Sequence, residues 1–247
     1  MSDGESELFA LAHVAPDESV TYGDHPSQVV DIYRPAGPPH TRVTLLHGGF
    51  WREAYDRCHL SPLAAALAAG GVEVFLAEYR RVGGGGGWPE TFEDVARVAA
   101  DAGRGAPGRH VLAGHSAGGH LALWAAGAAG VPPCEVVAVA PVADLGRART
   151  LRLGAGAVDA LLGGAYRPEA DPVRLPPPRG PVTLLHGGAD PHVPAALSTR
   201  YTAAARAAGG EITHRELPGV GHFTPVTPGT PACAELLALL GARARST

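Results

Sequence analysis

The sequence lacks the features that mark several large classes of protein. It has only three cysteines, Cys58, Cys134 and Cys233, and their wide spacing fits neither a disulfide framework nor a zinc site. Each is expected to be a buried, unreactive thiol, as in a reducing compartment. All basic residues are scattered arginines, and the formal net charge is -4. Because nucleic acids and anionic membranes are bound by clustered basic residues, neither is an expected partner.

The chain also lacks segments that target proteins to a membrane or carry a cofactor. No stretch reaches the roughly eighteen consecutive apolar residues of a transmembrane helix. The opening residues, MSDGESELFALAHVAPDES, are acidic and do not resemble a secretory signal. Metal motifs such as HExxH are missing, so no cofactor is predicted. We therefore expect a cytoplasmic protein whose partner is a small molecule, and the sequence leaves open whether it is a monomer or a homodimer.

The residues that are present predict one α/β domain over residues 1–247. The 45% hydrophobic content can fill a sizeable core. Short apolar runs alternate with longer helical segments, most of which end at glycine. The runs are VVDIYRP, RVTLLHGG, VEVFLAEYR, RHVLAGH, CEVVAVAPV, PVTLLHGG and EITHRELPG. This alternation is typical of a mostly parallel central sheet with helices on both faces.

Residues 146–180 interrupt the alternation. They contain two short helical segments, near RARTLRL and AVDALLGG, followed by the proline-rich RLPPPRGP, but no strand. An insertion between two central strands lies over the strand ends, where ligands bind in open α/β sheets. We predict a small cap insertion here. The alternative is a surface excursion with no part in binding.

The segment VLAGHSAGG places Ser116 where an apolar strand changes into a helix. Gly114 and Gly118 flank it in the G-x-S-x-G pattern of a nucleophile elbow. The serine of such an elbow has a strained backbone in a sharp turn, where larger neighbours would collide. The amide of Ala117, at the start of the helix, can donate to a developing oxyanion. Ser116 is therefore the predicted nucleophile.

A serine nucleophile needs a general base, which in this type of fold comes last along the chain. His222 follows the last predicted strand in LPGVGHFTP, on a loop flanked by glycines. We predict that it is the base, the alternative being an ordinary loop histidine. Three other histidines lie inside predicted strands or one turn beyond the serine and are expected to be structural: His120, His186 and His214.

The acid that orients the base is expected at the end of a strand between the serine and the histidine. Asp190 follows the penultimate strand in VTLLHGGADPHVP, and Asp144 follows the strand before it. We favour Asp190 because its loop neighbours that of His222 in the expected strand order, and Asp144 is the alternative. His192 is too close to Asp190 along the chain to be the preferred base.

The segment LLHGGFW predicts the second part of an oxyanion hole. Its glycines allow backbone amides to turn toward a substrate oxygen, and we assign the donors to Gly49 and Phe50. His47 either organises this loop by hydrogen bonding or is simply a strand-end histidine. Three aromatic residues, Trp51, Tyr55 and Trp88, are candidates for the pocket mouth, with ordinary core packing as the equal alternative.

These segments together resemble the α/β-hydrolase fold superfamily over nearly the whole chain. The stretches YGDHPSQVVDIYRP, HGGFW, GHSAGGHLA, GGADPHVP and GVGHF are similar to its arylformamidase (kynurenine formamidase) and carboxylesterase branch. The resemblance implies the same nucleophile, acid and base: Ser116, Asp190 and His222. Phe50 and Gly119 depart from the formamidase signatures HGGYW and GHSAGAHL, which leaves the substrate open.

The sequence thus predicts a cofactor-independent serine hydrolase that acts on a small ester or amide. Phe50 and Trp51 are expected to crowd the acyl side of the pocket, which favours small acyl groups on bulky alcohols or amines. One alternative is a hydrolase-fold binding protein without turnover. Another is a peptidase-type or lipase-type hydrolase of the same fold.

Overall fold

The computed structural model describes residues 4–242. Its eight strands, in chain order, are β1 Glu18–Thr21, β2 Val29–Tyr33, β3 Thr41–Leu46, β4 Glu73–Ala77, β5 Arg109–His115, β6 Glu135–Val139, β7 Val182–Gly187 and β8 Ile212–Leu217. They form one sheet in the order β1-β2-β4-β3-β5-β6-β7-β8. β1 pairs antiparallel with β2, and β2 pairs antiparallel with β4, whereas the six strands β3 to β8 are parallel to one another.

Helices connect the strands and cover both faces of the sheet. The α-helices are α1 Glu5–Phe9, α2 Ser61–Ala69, α3 Glu90–Arg104, α4 Ala117–Ala125, α5 Leu145–Thr150, α6 Leu153–Leu162, α7 Ala196–Ala207 and α8 Pro231–Leu239. Short 3₁₀ helices lie at Arg57–Leu60, Pro168–Ala170, Pro172–Arg174 and Thr224–Val226. This is the predicted α/β-hydrolase fold. Each helix in the described part of the chain is too short or too polar to cross a membrane.

The central strands are mainly apolar because they contribute side chains to two cores, one on each face of the sheet. In β5, Leu112 packs with α3 and α4 on one face, whereas Val111 and Ala113 pack with α2 and α8 on the other. Alternate residues of a strand point to opposite faces, so a strand covered on both sides has no polar face. This burial explains why continuous apolar runs identified the strands correctly.

Two elements at the N-terminal end were not predicted from the sequence. β1 is exposed at all four residues, so it carries no alternation of apolar and polar side chains. α1 is a five-residue helix that buries only Leu8. Elements this short and this exposed leave little hydrophobic pattern, and their positions depend on contacts made elsewhere in the chain.

The insertion at residues 146–180 packs closely on the domain. Val158 and Leu161 are buried in the core that α3 and α4 share. The carboxylate of Asp171 accepts hydrogen bonds from the amides of Leu145 and Gly146, both at 2.9 Å. The segment forms α5, α6 and two 3₁₀ helices but no strand, in agreement with the sequence pattern.

The cysteines follow the sequence prediction with one difference. Cys134 and Cys233 are buried free thiols, and burial raises their pKa values to about 11 and about 12. Cys58 is only half-buried, because it lies in the 3₁₀ helix near the surface. Burial and nearby Asp56 raise its pKa as well, so the thiol form prevails at neutral pH.

Candidate active site

Ser116 occupies a strained turn between β5 and α4. Its backbone angles are φ 56° and ψ -115°, a conformation that non-glycine residues rarely adopt. A Cβ at Gly114 would lie 2.2 Å from the carbonyl oxygen of Gly118, and a Cβ at Gly118 would lie 2.2 Å from that of Leu46. Both clashes involve backbone atoms, which cannot move aside as a flexible side chain could. The glycines of the pattern are therefore required by close backbone approach.

Asp190 and His222 meet at the ends of the two neighbouring strands β7 and β8. His222 donates from Nδ1 to Oδ2 of Asp190 at 2.6 Å. The other carboxylate oxygen accepts from the amides of His192 and Val193, each at 2.8 Å. The Asp190 side chain is fully buried, and that of His222 is 3% exposed. Because Nδ1 is occupied by this hydrogen bond, Nε2 is the nitrogen of His222 that can exchange a proton with a reacting group.

His186 is a further partner of the acid that the sequence argument treated as structural. Its Nε2 lies 3.3 Å from Oδ2 of Asp190 and 2.9 Å from the carbonyl oxygen of Val193. Burial alone would raise the pKa of Asp190, but hydrogen bonds from His186 and His222 outweigh burial and hold it well below its ordinary value. Asp190 is therefore ionised at neutral pH. No sequence pattern indicated this contact, because it depends on how residues 190–193 turn after β7.

The environment of His222 keeps its ring neutral at neutral pH. Burial lowers its pKa below 6.5, and the hydrogen bond to Asp190 opposes this effect only in part. His115, just before Ser116, lies with its ring 4.6 Å from that of His222 and donates from Nε2 to the His222 carbonyl oxygen at 3.1 Å. Burial holds the pKa of His115 well below its ordinary value, so it contributes a neutral, fixed hydrogen bond. His222 can therefore act as a proton acceptor.

Asp144, the alternative acid, has other partners. It accepts from the amide of Arg147 at 2.7 Å, which caps α5, and from Nε of Arg200 at 2.6 Å. Both hydrogen-bond partners of the Asp144 carboxylate are therefore arginines, and neither is His222. Of the two candidate carboxylates, the structure brings Asp190 and not Asp144 to His222.

The loop after β3 lies against the elbow. A Cβ at Gly48 would lie 3.1 Å from Cβ of Ser116, so the backbone passes close to the serine. Gly49 and Phe50 have φ angles of 105° and 50°, which turn the loop sharply. Among the hydrogen bonds of the described residues, none is donated by the amides of Gly49, Phe50 or Ala117. These amides are free to bind a substrate oxygen.

His47 connects this loop to Glu78, which follows β4. Its Nε2 lies 2.8 Å from Oε1 of Glu78, and its Nδ1 lies 2.8 Å from the Gly48 carbonyl oxygen. Burial alone would raise the pKa of Glu78, but His47 and Arg81 lower it to about 2. These two buried contacts hold the loop in place, which favours an organising role for His47.

The pocket in front of Ser116 is small, with a volume of about 130 Å³. Ser116, His222, Gly49, Phe50 and Tyr55 line it, as the sequence predicted. A cavity of about 150 Å³ accommodates a benzene molecule, so this pocket admits a group of similar or smaller size. The walls also include several residues that the sequence did not identify: Glu5, Phe9, His59, His115, His192 and Phe223.

Of the two alternatives for Trp51 and Trp88, the structure has core packing, and neither residue is in the pocket lining. Trp51 is fully buried, and its ring packs edge-on against His120 at 5.2 Å. Its φ of 58° turns the side chain into the core, whereas Tyr55 remains 41% exposed at the pocket. Trp88 packs against Phe92 at 4.7 Å, in a cluster with Trp124.

The pocket lining contains no residue of the insertion at 146–180. The insertion instead packs against Phe50, a residue of the pocket wall, on the side away from the pocket. A Cβ at Gly154 would lie 2.6 Å from the ring of Phe50, and Arg52 donates to the carbonyl oxygen of Gly154. Across residues 4–242, no group of three or more histidine, cysteine or acidic residues is arranged to hold a metal ion.

Comparison with known proteins identifies the family. The model of the prolyl oligopeptidase family matches residues 84–230, more than half of the chain. Among curated protein sequences, no significant match was found. The fold is similar to that of esterase B from Lactobacillus rhamnosis (TM-score 0.77, 22% identity, covering 95% of this chain and 88% of that chain). It is also similar to a carbohydrate esterase from gut microbiota (TM-score 0.74, 18% identity, 93% and 97%).

A third similar structure is a putative thioesterase from Silicibacter sp. (TM-score 0.73, 24% identity, covering 97% of this chain and 90% of that chain). Likeness at such identities establishes the fold and not the activity.

Proposed function

Because the chain belongs to the prolyl oligopeptidase family, whose fold is that of the α/β-hydrolases, we propose that it is a serine hydrolase that cleaves esters of small acyl groups. The observation that carries the proposal is the buried hydrogen bond of 2.6 Å between Asp190 and His222 at the pocket that contains Ser116. The esterases and the thioesterase of similar fold support the same reaction class.

In the proposed mechanism, Oγ of Ser116 attacks the carbonyl carbon of the substrate while Nε2 of His222 takes the serine proton. The carbonyl oxygen becomes an oxyanion and accepts hydrogen bonds from the amides of Gly49, Phe50 and Ala117. The tetrahedral intermediate collapses when His222 returns the proton to the leaving alcohol. Water, activated by His222, then attacks the acyl-enzyme and regenerates Ser116.

Asp190 fixes the orientation and tautomer of His222 and stabilises the imidazolium that forms during the reaction. The two backbone amides and His186 hold the carboxylate in place. Since Asp190 is already ionised and its oxygens are already bonded, little reorganisation is needed when the charge on His222 appears.

We expect the acyl-chain preference to follow pocket size. The volume of about 130 Å³ and the aromatic wall at Phe50 leave room for short acyl groups only. The value of kcat/KM should be highest for acetyl to butyryl p-nitrophenyl esters. It should then decline gradually, because one methylene in such a pocket is worth only about 1–3 kcal/mol. A steady rise from acetyl to dodecanoyl esters would contradict this and indicate a lipase-type acyl tunnel.

Formamide cleavage is a narrower form of the same proposal, supported by the arylformamidase-like segments HGGFW and GHSAGGHLA. The family match favours a second candidate, peptide-bond hydrolysis. Including a formyl anilide and a blocked dipeptide anilide in the substrate panel separates these activities. Ester cleavage should be detected first, because it is the easier chemistry.

The pH dependence should reflect the lowered pKa of His222. His222 must be neutral to accept the serine proton, so activity is lost as it becomes protonated. Because burial lowers its pKa, the acid limb of kcat/KM should have its midpoint below pH 6.5, while Asp190 stays ionised throughout that limb. A profile of kcat/KM against pH tests this. A rate independent of pH across the histidine range, or a midpoint well above 6.5, would exclude His222 as described.

A further inference from the structure

A second depression, which we name the side groove, adjoins the active-site pocket. It lies between α1 and the chain around residues 54–59 and has a volume of about 250 Å³, larger than the pocket itself. Its apolar lining includes Leu8, Leu11 and Ala54. Phe9, Tyr55 and His59 line both the groove and the pocket, so the two spaces share one wall.

The side groove concentrates exposed apolar surface. Among residues 4–242, six large hydrophobic side chains are exposed, and Phe9, Leu11 and Tyr55 line this groove at 48%, 37% and 41% exposure. Single exposed hydrophobic side chains are ordinary, but a cluster in a concave surface beside an active site indicates ligand contact.

The histidine and aspartate side chains that line the groove, His13, Asp56 and His59, do not form a site for an anion. Burial lowers the pKa of His59 to about 4, so this residue is neutral at pH 7. The carboxylate of Asp56 accepts from the amide of Cys58 at 2.9 Å and would repel an anion in the groove. An uncharged, apolar occupant therefore fits the groove better than an anion.

The position of Phe9 relates the groove to the leaving group. Its ring stacks on His59 at 5.5 Å and contacts Phe223 edge-on at 6.0 Å. Phe223 follows His222, and their rings are 4.9 Å apart. Since His222 must deliver a proton to the departing oxygen, the leaving group lies on the His222 side of the pocket. Phe9 and His59 form the boundary between that side and the side groove.

From this continuity, we infer that the side groove is a subsite for the apolar hydrocarbon part of the alcohol in the ester substrate. The inference rests on the proposed esterase function. It places substrate selection at α1 and the Tyr55 segment and not at the cap predicted for residues 146–180, which is absent from the linings of the pocket and the groove. The enzyme would then combine a short acyl group with a longer, apolar alcohol.

The test is the hydrolysis of ethyl, butyl, hexyl and octyl acetate, which share an acyl group and have alcohols of similar acidity. For the unmodified protein, kcat/KM should rise with alcohol length. Leu11→Ala removes apolar contact from the groove and should lower the octyl-to-ethyl ratio by about three- to tenfold, with the rate on ethyl acetate little changed. The matched control is Leu151→Ala, since Leu151 is similarly exposed, at 40%, but is not part of the groove lining.

The outcomes distinguish the subsite from the esterase function. An unchanged octyl-to-ethyl ratio in Leu11→Ala, with ethyl acetate still hydrolysed, overturns the subsite and leaves the esterase proposal intact. An equal loss in Leu11→Ala and Leu151→Ala also overturns it, since the effect would not depend on the groove. If the unmodified protein hydrolyses none of the four acetates faster than Ser116→Ala does, both the subsite and the esterase proposal are overturned.

Discussion

Replacing Ser116 by alanine is expected to lower kcat for a short p-nitrophenyl ester by about 10⁶-fold, the magnitude seen when a serine nucleophile is removed from a triad. The substitution deletes Oγ, the atom that forms the acyl-enzyme, and leaves the pocket and the three free amides in place. The residual rate would come from oxyanion binding and orientation alone. Steady-state kinetics at saturating substrate measures the loss.

Ser61→Ala provides a matched control for this experiment. Ser61 is also fully buried, but its hydroxyl accepts from the amide of Val14, and it is absent from the pocket lining. We expect this variant to lose some stability and keep its turnover. If Ser116→Ala retained the activity of the unmodified protein, Ser116 would not be the nucleophile.

Asp190→Asn is expected to lower kcat by about 10⁴-fold, the loss known for the corresponding change in a serine protease. The asparagine oxygen would stay with the amides of His192 and Val193, which puts its NH₂ group opposite Nδ1 of His222. Nδ1 would then have to accept, so the proton would move to Nε2. A ring protonated at Nε2 cannot take the proton of Ser116.

Asp144→Asn is the control that separates this effect from the loss of any buried carboxylate. Asparagine can still cap α5, so the replacement loses only the ion pair with the exposed Arg200. It should reduce stability by about 1 kcal/mol or less and leave kcat nearly unchanged. Thermal unfolding and kinetics on both variants give the comparison. The reverse ranking of the two kcat values would assign the acid to Asp144.

The central sheet and the placing of Ser116, Asp190 and His222 could be predicted because each depends on local patterns. Apolar runs identify strands buried on both faces, and parallel strands bring their carboxyl ends to one edge. The loops that follow those strands must therefore converge. The glycine spacing around Ser116 is also a local pattern. In the structure, a side chain at Gly114 or Gly118 would clash with nearby backbone atoms.

The pocket walls could not be predicted in the same way. Trp51 and Tyr55 lie on one glycine-rich loop, yet left-handed backbone at Trp51 sends its ring into the core while Tyr55 faces the pocket. The direction depends on single φ angles that composition does not reveal. Phe9 reaches the pocket through contacts with His59 and Phe223, which are distant in the sequence. Such contacts exist only once the fold is formed.

His186 illustrates a different limit. Its strand position predicted a structural histidine, and the residue is buried, but the partner of its ring nitrogen could not be predicted. The approach of Nε2 to Asp190 depends on how tightly residues 190–193 turn after β7, and two amide bonds to the carboxylate set that turn. The sequence contained both residues without indicating that they meet.

Reaction with a fluorophosphonate, followed by intact mass and peptide mapping, tests whether Ser116 is an activated nucleophile. The predicted result is one adduct per chain, located on Ser116, formed rapidly in the unmodified protein and slowly in Asp190→Asn. Ser116→Ala should remain unlabelled. Absence of labelling in the folded, unmodified protein, or an adduct that persists in Ser116→Ala, would contradict the assignment of this chain as a serine hydrolase acting through Ser116.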